Sequence, residues 1–123
     1  MRKRRVYTDY LRDMADYAEK AMGFVKGLNF KDFQKDERTI FAVTRALEVI
    51  GEAARHIPKV ARRRYPEIPW EKAVAMRNVV IHEYFGVNLK VIWRTVHEDL
   101  PSLHRDISRI VREIKETEGN ASR

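Results

Sequence analysis

The sequence predicts an all-α fold, an antiparallel bundle of four to five helices, and two observations favour it. Apolar residues recur at intervals of three and four along most of the 123 residues, which is the periodicity of helices with one buried face. No segment shows the alternation of apolar and polar residues that is typical of strands, and short loops favour antiparallel neighbours. One bundle domain is expected over residues 8–116, between a basic segment at 1–7 and a frayed polar tail at 117–123.

The first helix is expected to begin at Thr8, whose hydroxyl can cap the free amides. Asp9 would then lie near the positive end of the helix dipole. The apolar face of this helix is Tyr10, Met14, Tyr17, Ala21, Phe24 and Leu28. Residues 27–29 are expected to end it, and residues 30–35 follow as a connection whose two phenylalanines dock on the bundle.

The second helix is expected from Asp36 to His56. Its inner face is Ile40, Val43, Leu47, Ile50, Ala54 and Ile57. Glu52 lies one step from that face, and two interpretations stay open: a buried carboxylate with an arginine partner, or a charge at the helix edge. Pro58 ends the helix because proline has no amide hydrogen to donate.

An arginine run, residues 62–64, follows the second helix. Three consecutive cations beside Tyr65 can track a phosphate backbone, with stacking from the aromatic ring. The same run can equally be a solvated surface. Pro69 is well placed as the first residue of the third helix, and Trp70 is expected to pack the loop against the bundle.

The third helix, expected from Pro69 to Phe85, contains a cluster of polar residues. Its core-facing residues are Ala73, Met76, Val79 and Val80, and its polar cluster outside that arc is Arg77, Asn78, His82 and Tyr84. Arg77 and His82 are five positions apart and therefore diverge by about 140° at about 100° per residue. Both can act on one substrate only if Arg77 reaches round the helix or if a second copy of the chain supplies the partner group.

The C-terminal part continues the helical pattern. Asn88 is expected to cap the next helix after Gly86, which can close the preceding one. Inner-face residues of this part are Val91, Ile92, Trp93, Val96, Leu100, Leu103, Ile107, Ile110, Val111 and Ile114. Pro101 is expected to kink or restart the helix, which should end near Lys115.

Composition favours a polyanionic partner. The chain has 25 Lys and Arg against 18 Asp and Glu, a formal charge of +7, and such an excess attracts nucleic acid through phosphate contacts. A solubilising surface is the competing interpretation. The absence of cysteine excludes disulfides and fits a reducing cytoplasm. No apolar run resembles a signal peptide or reaches membrane-spanning length, so we expect a cytoplasmic protein without a membrane partner.

The residue patterns disfavour most hydrolase classes. Neither a metal-ligand spacing, nor a serine nucleophile motif, nor a phosphate-binding glycine loop is present, so no metal and no cofactor is expected. His82 can transfer protons near neutral pH, and Arg77 can stabilise the extra charge of a phosphorane-like transition state. These two groups suffice in principle for metal-free RNA cleavage by the RNA's own 2′-hydroxyl. A structural arginine–histidine pair is the alternative.

Residues 77–84, Arg-Asn-Val-Val-Ile-His-Glu-Tyr, resemble the Arg-x4-6-His signature of HEPN domains (higher eukaryotes and prokaryotes nucleotide-binding). They are similar to the Arg-Asn-x3-His-x-Tyr form found in HepT-like toxins. Residues 50–54, 68–70 and 87–93 also fall where such proteins place similar residues, so the resemblance covers roughly residues 8–115. It implies a helical bundle that dimerises, with a composite cleft built from both copies of the motif.

The resemblance also implies a ribonuclease toxin that an MntA-type nucleotidyltransferase antitoxin neutralises by transferring AMP to Tyr84. Arg77 would bind the scissile phosphate, His82 would transfer protons, and Asn78 would orient the histidine or the phosphate. Nucleotides added at Tyr84 would block the cleft with bulk and negative charge. The alternative is a non-catalytic helical dimer that binds a nucleotidyltransferase or a nucleotide.

Overall fold

A computed structural model describes the backbone of residues 5–82 and 88–121 and the side chains of residues 5–78 and 88–118. Within these ranges the chain is all-α, as predicted, with no strand. The helices are α1 (Tyr7–Phe24), α2 (Phe30–Lys35), α3 (Glu37–Arg55), α4 (Lys59–Arg64), α5 (Trp70–His82), α6 (Leu89–Arg94) and α7 (Leu100–Ala121). A π-helical turn, Thr95–Asp99, joins α6 to α7 without a break.

The core forms where α3 packs against both α1 and α5, and α7 covers α1 from another side. Its largest fully buried side chains are Phe33, Leu11, Met14, Leu47, Ile50, Ile92, Leu100, Ile107 and Ile110. Each such side chain stabilises the fold by about 1.5–3 kcal/mol relative to exposure. The central position of α3 matters for function, because α3 is the helix against which α5 is held.

Helix α1 departs from the prediction at both ends. It begins at Tyr7, with Val6 at the N-cap, and the carboxylate of Asp9 accepts a hydrogen bond from the Val6 amide at 3.1 Å. Thr8 is not the cap, because it is buried at 7% exposure within the first turn. The helix ends at Phe24, before the predicted segment, and a turn containing Gly27 at φ +82° follows.

The apolar face predicted for α1 is only partly right. Met14 and Ala21 are buried, but Phe24 is 43% exposed. The buried residues of this helix are Thr8, Leu11, Met14, Ala15, Ala18 and Ala21. The buried stripe is therefore rotated towards the small residues, which allow α3 and α7 to approach closely.

Residues 30–35 form the short helix α2 rather than an irregular connection. Their two phenylalanines dock as predicted: Phe33 is fully buried, and Phe30 packs edge-on against Trp93 with ring centroids 5.9 Å apart. Asn29 starts this helix by accepting a hydrogen bond from the Asp32 amide at 2.8 Å. Such a short helix has too few turns to show an apolar period in the sequence.

Helix α3 matches its predicted bounds to within one residue at each end. Asp36 is the N-cap and accepts the Thr39 amide at 3.1 Å, and His56 is the C-cap. Of the six predicted inner-face residues all but Ile40 are buried, and Ile40 is partly buried against the core.

The C-terminal helices confirm the predicted cap and apolar stripe. Asn88 accepts a hydrogen bond from the Val91 amide at 3.4 Å. The helix does not restart at Pro101; instead the turn before it widens, with the Leu100 amide bonded to the Thr95 carbonyl. Because proline has no amide hydrogen, this π-helical turn lets the helix continue through it. Helix α7 extends to Ala121, beyond the predicted end near Lys115.

Among the described helices, none combines the length and the apolar character needed to cross a membrane.

Candidate active site

The segment between α3 and α5 is fixed by one arginine and one tryptophan. Arg62 donates through Nε to the Ile57 carbonyl at 2.9 Å and through Nη2 to the Ala54 carbonyl at 3.0 Å. The Ala54 carbonyl belongs to the last turn of α3 and also accepts the Ile57 amide at 3.1 Å, while Ile57 follows the C-cap His56. Trp70, 7% exposed, donates through Nε1 to the Arg62 and Tyr65 carbonyls at 3.1 and 3.0 Å. The start of α5 is therefore anchored to the end of α3.

Helices α3 and α5 approach each other closely at Gly51. A Cβ atom placed on Gly51 would lie 2.7 Å from both the Cβ and the backbone nitrogen of Arg77, and 3.0 Å from the Val74 carbonyl oxygen. These distances are too short for any side chain, and two of the three neighbours are backbone atoms of α5. Glycine at this position therefore sets where the Arg77 backbone lies relative to α3.

Among the described residues, Arg77 forms its ion pair with the residue that follows Gly51 on α3. Its Nη1 donates to Oε2 of Glu52 at 2.9 Å, and both side chains are 43% exposed. The structure thus combines the two interpretations of Glu52, since the carboxylate has an arginine partner yet lies at the helix edge and is not buried. A pair this exposed contributes about 0–1 kcal/mol to stability, so its main effect is on the direction of the guanidinium.

The other oxygen of Glu52 contacts an arginine of α3 and the histidine at its C-cap. Oε1 lies 3.2 Å from Nη2 of Arg55 and 3.4 Å from Nε2 of His56. The His56 ring stacks on Tyr10 of α1, with centroids 4.6 Å apart and planes 12° apart. A groove of about 220 Å³ opens beside these groups. Three helices therefore converge on the carboxylate that orients Arg77.

A second ion pair connects α5 to the π-helical turn. Nζ of Lys72 lies 2.8 Å from Oδ1 of Asp99. The hydrogen bond to Asp99 and the charge of that carboxylate raise the pKa of Lys72. Lys72 is therefore a cation throughout the neutral range and connects the first turn of α5 to the π-helical turn.

The structure describes the side chains of two predicted site residues, Arg77 and Asn78. Arg77 is half-buried and Asn78 is exposed. His82 is the last residue that the structure describes in α5; its side chain, and all of Tyr84, lie outside the described residues. The predicted core contacts are confirmed for Ala73 and Met76, which are buried, while the side chains of residues 79–80 also lie outside the description.

The backbone of α5 runs from Trp70 to His82 as one helix. Positions 77 and 82 of such a helix lie about 140° apart around its axis, and the divergence of the two side chains stays a prediction. An arginine partner for Glu52 was one of the two interpretations of the sequence, whereas the close approach at Gly51 was not predicted. No spacing in the sequence signals that approach, because it depends on how α3 packs against α5.

The polar groups of the described site are nitrogen-bearing and carboxylate side chains of α3 and α5. Within the side chains of residues 5–78 and 88–118, no group of three histidine, aspartate or glutamate residues is arranged to hold a metal ion. The described part of the site presents one half-exposed guanidinium, which can bind an anion. Arginine binds phosphate with its planar fork and stays charged at any physiological pH.

The sequence of the chain matches a known protein family and several relatives. The family model described as ribonuclease HepT-like matches residues 14–110. A protein of Thermococcus cleftensis named as a probable ribonuclease HepT is 49% identical over 100 residues, which cover 81% of this chain and 91% of that protein. A candidate RNase of Caldanaerobacter subterraneus is 39% identical over 106 residues, covering 86% of this chain and 95% of that protein.

A third relative, a candidate RNase of Methanocaldococcus jannaschii, is 34% identical over 112 residues, covering 91% of this chain and 93% of that protein. No solved structure shows a significant match to the chain. The matched span contains α3, α5, Glu52, Arg77 and His82. The similarity therefore covers both helices of the site, while Tyr10 lies before the matched span.

Proposed function

The chain belongs to the HepT-like family of the HEPN superfamily, and we therefore propose that it is a metal-independent endoribonuclease, the toxin of a toxin–antitoxin system. One observation carries the proposal. Helix α5 is continuous from Trp70 to His82 and presents the half-exposed Arg77 guanidinium, held by Glu52 at 2.9 Å, on the same helix as His82. These are the charge-stabilising and proton-transferring groups that RNA cleavage requires.

In the proposed reaction, the 2′-oxygen of a ribose forms a bond to the adjacent phosphorus as the bond from phosphorus to the 5′-oxygen breaks. His82 takes the proton of the 2′-hydroxyl. The leaving 5′-oxygen takes a proton from water, and the His82 imidazolium returns its proton to the hydroxide so formed. Arg77 stabilises the additional negative charge on the phosphoryl oxygens during the transfer. The products are a 2′,3′-cyclic phosphate and a 5′-hydroxyl end.

The divergence of Arg77 and His82 on α5 supports a site completed by a homodimer. On one straight helix the two side chains start about 140° apart. A two-fold axis close to α5 would bring Arg77 of each copy towards His82 of the other copy, because isologous contacts are reciprocal. Each chain would then supply half of the catalytic groups to one cleft.

The proposal includes regulation by a partner protein. A nucleotidyltransferase antitoxin of the MntA type would transfer AMP to Tyr84, two residues after His82. The added phosphate would bring negative charge to the cleft and compete with RNA for Arg77. Asn78 lies one helical turn before His82 and is exposed, so its amide can orient the imidazole or the phosphate. All of these partners are expected in the cytoplasm.

The test is RNA cleavage by the purified protein in the presence of EDTA. We expect single-stranded RNA to be cut to products ending in 2′,3′-cyclic phosphate, and Arg77→Ala and His82→Ala each to lower the rate by at least about 100-fold. Matched controls are Arg63→Ala, an exposed arginine of α4, and His104→Ala, which lies 3.9 Å from Glu19 on another face. Cleavage that persists in both site variants, or a wild-type protein without activity, would refute the assignment.

A further inference from the structure

The carboxylate of Glu52 is constrained at both oxygens. Oε2 accepts Nη1 of Arg77 at 2.9 Å, while Oε1 lies 3.2 Å from Nη2 of Arg55 and 3.4 Å from Nε2 of His56. A carboxylate with partners on both oxygens cannot rotate without losing one of them. The direction in which the Arg77 guanidinium points is therefore set by α3.

The constraint reaches a third helix through His56. The imidazole stacks on Tyr10 of α1, with centroids 4.6 Å apart, and Tyr10 in turn lies under the guanidinium of Arg5 at 4.7 Å. The neighbouring Gly51 leaves no room for α5 to shift, since a Cβ there would lie 2.7 Å from the Arg77 backbone nitrogen. Backbone and side chain of Arg77 are thus positioned by two consecutive residues of α3.

The described hydrogen bond of Arg77 uses one of its N–H donors and leaves the others available. Arginine has five N–H donors, and among the described residues the acceptor for Arg77 is Glu52 alone, through Nη1. The side chain is 43% exposed, so its other donors can reach a phosphate from solvent. Glu52 therefore orients the arginine without occupying the edge that would bind the substrate in a bidentate manner.

We propose that Glu52 is the positioning residue for Arg77 in RNA cleavage. This inference rests on the proposed function and extends it to a residue outside the Arg77–His82 pair. Glu52 does not touch the RNA; it holds the guanidinium in the direction from which it stabilises the transition state. Because exposed ion pairs add little to stability while small errors of position cost much in rate, removing this pair should lower turnover far more than folding stability.

The opposite role for Glu52 makes the opposite prediction. If the Glu52 carboxylate occupied the position that the substrate phosphate takes, RNA would have to displace it. Removal of the carboxylate would then tighten RNA binding and raise kcat/KM. If the pair only stabilised the fold, its removal would lower the thermal midpoint and leave kcat of the folded protein unchanged. The three roles therefore predict different changes in kcat, KM and thermal stability.

Glu52→Gln is the decisive variant, because it keeps the shape and removes the charge. Glu48→Gln is its matched control: Glu48 lies one turn earlier on α3, pairs with Arg45 at 3.2 Å and is 36% exposed. We expect Glu52→Gln to lower kcat by about 10–100-fold with KM within about twofold, and the thermal midpoint to move by less than about 3 °C. Glu48→Gln should match wild type, and Glu52→Asp should recover part of the lost turnover.

An unchanged kcat in Glu52→Gln, or a lower KM with a higher kcat/KM, would overturn the proposal. A second readout does not depend on cleavage: nitrogen-15 NMR of the Arg77 guanidinium reports how fast its Nη groups rotate. We expect slow rotation in wild type and in Glu48→Gln, and faster rotation in Glu52→Gln. If wild type does not cleave RNA, the proposed function fails by itself, while equal rotation in all three proteins would show that Glu52 does not hold Arg77.

Discussion

Two arginine-containing regions of this molecule suggest phosphate binding in the sequence, and the structure uses them differently. In the run at residues 62–64, Arg62 places two of its donors on carbonyls at the end of α3, at 2.9 and 3.0 Å. On α5, Arg77 places one donor on Glu52 and is 43% exposed. An arginine whose donors are satisfied by backbone carbonyls supports the fold, whereas one held at a single point can still bind a ligand.

The comparison predicts opposite effects of mutation in the two regions. Changes around Arg77 should remove activity and spare the fold, except where they force the helices apart. Changes at Arg62 should weaken the fold and spare the activity of the molecules that remain folded.

Gly51→Ala should have the largest effect, because it disturbs both fold and site. The new methyl group would lie 2.7 Å from Arg77 atoms, so α5 must move away from α3. We expect a loss of about 1–3 kcal/mol in the free energy of unfolding and at least about 100-fold in cleavage rate, measured by denaturant titration and by RNA cleavage in EDTA.

Gly23→Ala is the control for that variant, since a Cβ there meets nothing within 4 Å. Alanine in place of a helical glycine is expected to be neutral or to stabilise by about 0.5–1 kcal/mol, with wild-type cleavage. If Gly51→Ala proved as harmless as Gly23→Ala, the close approach of the helices would not position Arg77.

Arg62→Ala should destabilise the protein without changing the chemistry. The Ala54 and Ile57 carbonyls would lose a charged donor, and removing hydrogen bonds of this kind costs about 1–3 kcal/mol in the free energy of unfolding. The turnover of the folded fraction should stay within about twofold of wild type. A large loss of turnover at unchanged stability would contradict the structural role assigned to this residue.

The exposed neighbours of Arg62 should have a smaller effect. Arg63 and Arg64 lie on the surface of α4, so their double replacement by alanine should leave the thermal midpoint and kcat near wild type. If both contact phosphates, the slope of log binding constant against log salt should fall by about 1.4, since each phosphate contact with a single strand contributes about 0.7. Fluorescence anisotropy with labelled RNA at several salt concentrations distinguishes this from an unchanged slope.

The start of α3 is the region where the smallest effect is expected. The hydroxyl and the backbone amide of Thr39 donate to Asp36 and lower the pKa of that carboxyl group. A depressed pKa stabilises the fold above the pKa of the unfolded chain, about pH 4, and this contribution is lost as pH falls through the folded-state pKa. Asp36→Asn should therefore reduce stability at pH 7 but not at pH 2, in thermal melts at both pH values, with unchanged cleavage.

Local signals explain which parts of the fold could be predicted. Asp36 and Pro58 mark the two ends of α3 in the sequence, and its apolar period identified the buried face. The prediction that Thr8 caps α1 was wrong. Thr8 is buried by neighbouring helices, and such burial cannot be read from the local sequence. The six-residue helix α2 has no apolar period to detect. Local chemistry therefore predicts long, capped helices well and short or tertiary features poorly.

The site could be predicted only in part, for a similar reason. The motif on α5 indicated Arg77 and His82, because their residue types carry the chemistry. The contact of Glu52 with Arg77 joins residues 25 positions apart, and the close approach at Gly51 depends on how two helices pack. No period or spacing in the sequence encodes such distances.

In the proposed dimer, α5 of one chain supplies half of an active site, with Arg77 and His82 acting across two copies. The most direct measurement uses Arg77→Ala and His82→Ala chains with different affinity tags, co-expressed and purified as a heterodimer. Each variant homodimer should be inactive, and the heterodimer should regain up to about half of the wild-type rate in EDTA, because one intact Arg77 and one intact His82 face each other. A heterodimer as inactive as its parents, or an active wild-type monomer, would contradict the claim.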